Sequence, residues 1–235
     1  MIKTAIKLLV LFILIFSANI KASANSHVEN DLGLWTSVYI KLPVSEKIKT
    51  SFEVHPRIQN NITHINQLLL RPSVGYQVNK NLSLWQGYGW ITNYIPRFAR
   101  EQRTWQQVLY EKEFSRFTFS SRFRFEERFI QDVEGVSLRG RDLIKFVFPL
   151  NKKKDWGLVL SDELFVNLIS HFHGPQAGID QNRLFVGLSK KISENVKLEG
   201  GYQLQYINNN SPKADRLNHI IRVNMYFTLP QLLKD

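Results

Sequence analysis

Residues 117–129 read F-T-F-S-S-R-F-R-F-E-E-R-F, and this stretch decides the fold class. Its five phenylalanines, at positions 117, 119, 123, 125 and 129, share one parity. The other parity carries polar and charged side chains, namely Thr118, Ser120, Arg122, Arg124, Glu126 and Arg128. A period of two indicates a β-strand, because successive side chains of a strand point to opposite faces. One face suits hydrocarbon and the other an ion-paired interior, which is typical of a membrane β-barrel.

The same alternation recurs along almost the whole chain, in segments spaced about 15 to 20 residues apart. We count eleven such segments, over residues 31–42, 47–58, 67–78, 82–94, 103–113, 117–129, 141–150, 157–168, 181–189, 196–206 and 217–229. The segment over 103–113 is the weakest, because Gln106 and Lys112 lie on the face assigned to lipid. Glycines on the inward parity, such as Gly87 and Gly89, predict free space in the lumen.

Short and long connections alternate between the segments, and short periplasmic turns with longer external loops are typical of bacterial outer-membrane barrels. With eleven strands and a periplasmic C-terminus, the first strand would begin at Asp31 on the external side of the membrane. Single-chain bacterial barrels, however, usually have an even number of strands. We therefore predict an all-β, antiparallel up-and-down transmembrane β-barrel of about twelve strands. Either residues 25–30 help to form another strand or one segment is assigned wrongly, and about ten strands is the alternative.

The start of the chain predicts export. A basic beginning is followed by an apolar run from Leu8 to Phe16 and by Ala22-Ser23-Ala24, which has the A-x-A form of a cleavage site. The apolar run is too short for an uncleaved anchor helix. Residues 1–24 therefore predict a cleaved signal peptide, and residues 25–235 predict one barrel domain in the cell outer membrane.

Net charge and cysteine content limit the classes of molecule that the protein can bind and the chemistry that it can use. Removal of residues 1–24 takes away Lys3, Lys7 and Lys21 and no acidic residue, so the net charge falls from +11 to +8. The basic residues are interleaved with glutamates instead of forming one stripe, which argues against nucleic acid. We expect outer-membrane lipids, lipopolysaccharide and the barrel-assembly machinery as partners of a monomer. The chain has no cysteine, so disulfides, thiol chemistry and a lipoprotein anchor are excluded.

Charges of both signs fall on the inward parity: Glu53, His55, Arg57, Arg71, Arg103, Glu111, Glu113, Arg122, Arg124, Glu126, Arg128, Arg141, Glu163, Arg183, Glu199 and Arg222. In a barrel of about ten to twelve strands, side chains can fill the lumen, and interleaved Arg and Glu can pair there. We favour this structural interpretation over a substrate site or selectivity filter, because structural ion-pair networks resemble functional ones.

Several stretches resemble one family. They are Arg71-Pro72 with Gly75-Tyr76 and Gly87-Tyr88, Glu101-Gln102-Arg103 with Gln106-Gln107, R-x-R-x-E-x-R over 122–128, Arg139-x-Arg141, Glu163-Leu164-Phe165, and residues 181–187. In order and spacing the chain resembles the uncharacterised bacterial outer-membrane-like proteins grouped as domain of unknown function 2490. The resemblance implies an outer-membrane barrel and supplies no reaction, ligand or catalytic residue.

Periodicity and resemblance together select a candidate lumen network of Arg71, Arg103, Gln107, Arg122, Arg124, Glu126, Arg128, Arg141, Glu163, Gln181 and Arg183. Within it we single out Arg103, Arg122, Glu126, Arg141, Glu163 and Arg183 as a cluster that forms a plug or contacts a small anionic solute.

Enzymatic alternatives are weaker. His55 shares a strand face with Glu53 and Ser51, but such positions lie about 6.5 to 7 Å apart, too far for a direct proton relay. His171 and His173 lie two residues apart in a loop without an evident third metal ligand. We expect no catalytic residues, no metal site and no cofactor.

The sequence therefore predicts an outer-membrane barrel of structural or pore-like type that binds or passes a small anionic solute. The alternatives are a lipid-modifying outer-membrane enzyme, such as a lipid A or phospholipid acyl hydrolase, and a soluble periplasmic ligand-binding barrel. The soluble barrel requires the opposite parity, with apolar side chains inside and charges outside.

Overall fold

The computed structural model describes residues 28–209 and 214–233. The predicted signal peptide lies outside the described residues. Within them the chain forms eleven strands: β1 (Val28–Pro43), β2 (Ile48–Gln59), β3 (His64–Gln77), β4 (Leu82–Asn93), β5 (Ala99–Glu113), β6 (Thr118–Ile130), β7 (Ser137–Pro149), β8 (Trp156–Asn167), β9 (Gly178–Lys191), β10 (Val196–Ile207) and β11 (Asp215–Thr228). No helix in the described part of the chain is long and apolar enough to span a membrane.

The strands form one closed barrel in which each strand pairs antiparallel with its sequence neighbours. The exception is the closure, because β1 and β11 pair in parallel, from Val28 with Asp215 to Lys41 with Thr228. The described residues thus contain eleven strands, where the sequence predicted twelve or ten. An up-and-down barrel with an odd number of strands starts and ends its chain at opposite rims, so its first and last strands must run in the same direction.

The connections at one rim are shorter on average than those at the other. The connections over residues 44–47, 78–81, 114–117, 150–155 and 192–195 lie at one rim, which we call the short-turn rim. Those over residues 60–63, 94–98, 131–136 and 168–177, and the one that joins β10 to β11, lie at the other, which we call the long-loop rim. Strands β1 and β11 both begin at the long-loop rim and end at the short-turn rim.

The two strand faces have the polarity that the alternation predicted. Large apolar side chains on the outer face are exposed, including Phe123 at 53 % and Val74 at 48 %. Buried charged residues such as Arg124, Glu126 and Glu163 lie on the lumen face. Large apolar side chains also lie on the lumen face, where Trp35, Trp105 and Phe185 are buried. The interior is therefore a packed core of aromatic, aliphatic and charged groups.

The inward glycines do not leave free space, contrary to the sequence-based expectation. A Cβ on Gly87 would lie 2.0 Å from the Trp105 ring, and one on Gly75 would lie 2.5 Å from the Trp85 ring. Phe185 occupies the corresponding space beside Gly187. Each glycine accommodates an aromatic ring from a nearby position, because only a residue without a Cβ permits such close approach.

Candidate functional site

A chain of ion pairs crosses the lumen, and Glu126 lies at its centre. Glu126 Oε2 is 2.6 Å from Arg139 Nη2, its Oε1 is 2.5 Å from Arg141 Nη1, and Arg103 Nη1 is 3.8 Å away. The Glu126 side chain is 1 % exposed. A buried carboxylate is stable only when paired, and here guanidinium groups from β5 and β7 surround one on β6.

Glu163 on β8 continues the chain. Its Oε1 accepts hydrogen bonds from Arg122 and, at 2.6 Å, from Arg141 Nη2, while Arg183 Nη1 lies 3.8 Å from its Oε2. Because Arg141 also contacts Glu126, it joins the two carboxylates. The six residues singled out as a cluster thus form one connected group, running across strands β5 to β9.

Glu101 extends the network toward the long-loop rim. Its Oε1 accepts hydrogen bonds of 2.6 Å from Arg103 Nε and from Arg128 Nε. A further group lies apart from the carboxylates, since Arg124 donates through Nε and Nη2 to Gln107 Oε1 and stacks 3.8 Å from the centre of the Trp105 ring. Stacking on a buried ring stabilises this guanidinium where no carboxylate bonds to it.

A second cluster, toward the short-turn rim, surrounds Glu199 on β10. Lys145 Nζ lies 2.5 Å from Glu199 Oε2, and Arg222 Nη2 lies 3.1 Å from Glu199 Oε1. Arg222 stacks on Phe185, with 3.6 Å between its guanidinium carbon and the ring centre. Acidic and basic groups are therefore paired at both ends of the lumen.

Ser37, His55 and Glu53 form a group that resembles a catalytic triad. Ser37 Oγ lies 2.8 Å from His55 Nδ1, and His55 Nε2 lies 3.4 Å from Glu53 Oε2. However, Arg71 Nη2 lies 2.8 Å from His55 Nε2 and 2.6 Å from Glu53. A guanidinium only donates hydrogen bonds, so Nε2 must accept one and Nδ1–H must donate to Ser37.

This direction of donation is the reverse of what nucleophilic catalysis needs, since the imidazole must accept the serine proton. Ser37 is also only 1 % exposed. The arrangement therefore secures a buried Glu–Arg pair instead of activating a nucleophile. Ser51, which sequence reasoning placed beside His55, bonds to Ser73 Oγ.

A cavity of about 420 Å³ opens between the side chains toward the long-loop rim. Basic side chains dominate its wall, which includes Arg57, Arg71, Arg103, Arg128, Arg139, Arg141, Arg183 and Arg216, with Glu101 as the acidic member. Amides, the rings of Trp35 and Phe165, and loop residues including His173 complete it. Pockets of this size accommodate a small molecule.

Among the residues that the structure describes, three buried donors in this wall have no hydrogen-bond partner: Trp35 Nε1, Arg57 Nε and Arg71 Nε. All three belong to neighbouring strands, β1, β2 and β3. Buried donors without partners are costly, so a cavity lined by them suits a ligand that presents hydrogen-bond acceptors.

The eleven residues of the predicted network all lie on the lumen face, but they do not form a single connected network. Those joined through carboxylates are Arg103, Arg122, Glu126, Arg128, Arg141, Glu163 and Arg183. Arg71 pairs with Glu53, Arg124 bonds to Gln107, and Gln181 accepts from Arg183. No group of three or more potential metal ligands occurs in the described residues.

Sequence reasoning missed Glu101 and Arg139 as lumen residues, although both bond within the network. The alternating segments predicted from the sequence begin at residues 103 and 141, because the apolar alternation fades before β5 and β7 reach the long-loop rim. Their parity was the available signal, since Glu101 matches Arg103 and Arg139 matches Arg141. Trp35 was missed because the inside-out pattern predicts polar side chains in the lumen and gives no reason to expect an aromatic ring there.

Fold and site define a closed β-barrel with a charge-paired lumen and an arginine-lined cavity at one rim. The chain matches the family described as "Protein of unknown function (DUF2490)" over residues 32–218, and it belongs to that family. It is similar to an uncharacterised protein of Methylorubrum extorquens, with 35 % identity over 211 residues, which cover 87 % of this chain and 91 % of the relative. No solved structure matches the chain. The family resemblance inferred from the sequence is confirmed.

Proposed function

We propose that this protein is an outer-membrane β-barrel whose lumen is closed by paired and stacked side chains and whose cavity binds a small anionic solute. The observation that carries the proposal is the inverted polarity of the wall, with apolar side chains exposed outside and charged ones buried inside. Only helices and closed barrels satisfy every backbone group in lipid, and this barrel closes without a free edge.

The outer face supports a lipid environment. Phe52, Val74, Phe123 and Ile221, from four different strands, are 40 to 53 % exposed. Soluble monomers rarely expose so much contiguous apolar surface, because leaving it in water is unfavourable. A soluble periplasmic barrel with an apolar ligand cavity would need the reverse distribution, so the polarity argues against that alternative.

Three pairs of polar side chains on the outer face bond to each other, and a lipid environment favours such pairing. The Tyr88 hydroxyl donates to Gln102 Oε1 at 2.5 Å, and Thr104 donates to Glu127. Asn182 Nδ2 lies 3.0 and 3.1 Å from the two carboxylate oxygens of Asp162. Such pairing reduces the cost of facing hydrocarbon.

The closed interior favours a structural and binding role over a pore. Trp85, Trp105 and Phe185 occupy the spaces beside inward glycines, and ion pairs fill the lumen between them. A ligand can enter the cavity at the long-loop rim, and the surplus of arginines over carboxylates in its wall favours an anion. The reversed hydrogen bond between His55 and Ser37 gives the enzyme alternative no support.

Cell fractionation tests the location. We expect the protein to sediment with the outer membrane, to need detergent for extraction and to change its mobility on a denaturing gel after boiling, as folded barrels do. Recovery in the soluble periplasm without detergent would sink the membrane proposal. A mature protein that lacks residues 1–24, measured by mass spectrometry, would support the predicted signal peptide.

A further inference from the structure

Two arginines share one indole ring in the cavity wall. The guanidinium carbon of Arg57 lies 3.9 Å from the centre of the Trp35 ring, and that of Arg183 lies 5.0 Å from it. Two like charges so close together repel each other unless an anion lies near both. Stacking on the ring offsets only part of this repulsion.

The carboxylates nearby do not neutralise this pair. In the described residues, Arg57 forms no ion pair, and its charged end donates instead to Gln67 Oε1 at 2.7 Å. Arg183 reaches Glu163 only at 3.8 Å, and Glu163 is already bonded to Arg122 and Arg141. Glu53 pairs with Arg71, and Glu101 pairs with Arg103 and Arg128.

The unpartnered donors converge on the same wall of the cavity. Trp35 is 4 % exposed and Arg71 is 7 % exposed, yet Trp35 Nε1, Arg57 Nε and Arg71 Nε lack partners. Amide donors add to them, since Gln59 and Asn93 each use their side-chain oxygen to accept a bond. A ligand that fits this wall must offer several acceptor atoms and more than one negative charge.

We propose that Trp35, Arg57, Arg71 and Arg183 form a binding site for a phosphoryl group, either inorganic phosphate or a phosphomonoester. The inference rests on the proposed anion-binding function and specifies its ligand class. A phosphoryl group carries close to two negative charges at neutral pH and has three or four acceptor oxygens in a tetrahedral arrangement. Its oxygens can therefore take donors that approach from four strands, whereas a planar carboxylate accepts mainly within its plane.

Calorimetric titration of the full-length folded protein in detergent tests the ligand class. The probes are inorganic phosphate and glycerol phosphate, with acetate and succinate as planar carboxylates of one and two charges. We expect both phosphoryl compounds to bind at one site at least about 10-fold more tightly than either carboxylate, a difference typical of one charged hydrogen bond. Vesicles that contain lipopolysaccharide, added as a competitor, distinguish a membrane phosphate from a free one.

Variants locate the site. Arg57→Met keeps the length of the side chain but removes its charge and Nε, and we expect about 10- to 100-fold weaker phosphate binding. Trp35→Phe keeps an aromatic ring in the same place but removes the indole Nε1–H donor. We therefore expect weaker phosphate binding without loss of the fold. Arg222→Met is the matched control, because Arg222 also stacks on a ring and has an unpartnered Nε but does not line the cavity.

The outcomes separate the two proposals. Phosphate binding that is weakened by Arg57→Met and unchanged by Arg222→Met supports the site. If succinate or acetate binds as tightly as phosphate, the phosphoryl assignment falls while anion binding stands. If no anion binds to the folded protein, both proposals fail. Equal losses in the two arginine variants would overturn the location. If the vesicles displace bound phosphate, the natural ligand is a phosphoryl group of lipopolysaccharide. If they do not, the natural ligand is a free solute.

Discussion

At the scale of single residues, the lumen is organised by carboxylates, of which Glu101, Glu126 and Glu163 each pair with two or three guanidinium groups. Glu126 contacts Arg139 and Arg141, and Glu163 contacts Arg122 and Arg141. Some guanidinium groups that bond to no carboxylate of the described residues stack on rings instead, as Arg124 does on Trp105. The polar face of the alternation thus specifies a network, and the removal of one member leaves its partners buried and unpaired.

The substitution Glu126→Gln tests this dependence. It preserves size but leaves the guanidinium groups of Arg139 and Arg141 with less negative charge, so we expect a loss of about 3 to 5 kcal/mol in the free energy of unfolding. Urea denaturation of the detergent-folded protein, followed by tryptophan fluorescence, measures it. Glu113→Gln is the control, because Glu113 pairs with Lys154 at the surface and its loss should change little. Equal stability of the two variants would contradict a central role for Glu126.

The inward glycines make a second prediction. In Gly87→Ala the new Cβ would lie 2.0 Å from the Trp105 ring, which is 2 % exposed and cannot move freely. We expect the free energy of unfolding in the same urea measurement to fall by about 1 to 3 kcal/mol, because overpacking forces a displacement of the ring. In Gly200→Ala the nearest atom is 3.8 Å away, so that variant should unfold like the parent. If Gly87→Ala unfolded at the same urea concentration as the wild type, Trp105 would not be tightly packed against Gly87.

At the scale of elements, the unusual feature is the parallel pairing of β1 with β11. Each strand alternates as predicted, and each neighbouring pair is antiparallel, yet the odd number of strands makes the closing pair parallel. Strands β5 and β7 also begin closer to the long-loop rim than their apolar residues indicate. These extra residues bring Glu101 and Arg139 into the network.

Cysteine cross-linking tests the closing pair, and the natural chain contributes no competing cysteine. Thr36 and Val223 are direct partners on the outer face. The double variant Thr36→Cys with Val223→Cys should form a disulfide under mild oxidation, seen as a mobility shift on a non-reducing gel, because paired strands bring Cα atoms within bridging distance. Thr36→Cys with Phe227→Cys is the control, since Phe227 pairs with Ile40 and lies about 13 Å further along the strand. Cross-linking only in the control would disprove this register.

At the scale of the whole molecule, the barrel is a closed wall around an interior packed with side chains, and a cavity lies at its long-loop rim. Aromatic rings and ion pairs occupy the lumen between the cavity and the short-turn rim. This arrangement is the basis of our proposal that the protein binds a solute without passing it. The wall and its contents depend on each other, because the buried charges need partners from strands across the barrel.

Planar-bilayer recording tests the closed lumen. We expect purified, folded protein to produce no steady conductance over the range of voltages that a bilayer tolerates, because aromatic rings and ion pairs occupy the lumen. A porin reconstituted in parallel confirms that insertion can be detected. Stable unitary currents that scale with the amount of protein would mean that the lumen opens in a membrane.

The sequence by itself determined the strands, their two faces and the family, because a period of two assigns every side chain to one face or the other. It also determined that charges of both signs lie inside. Only the tertiary structure decided the parallel closure, the pairing of each carboxylate and the aromatic rings placed over Gly75 and Gly87. These features depend on strand number, stagger and side-chain reach across the barrel, which bring together residues far apart in sequence. The cavity around Trp35 and Arg57 has the same origin.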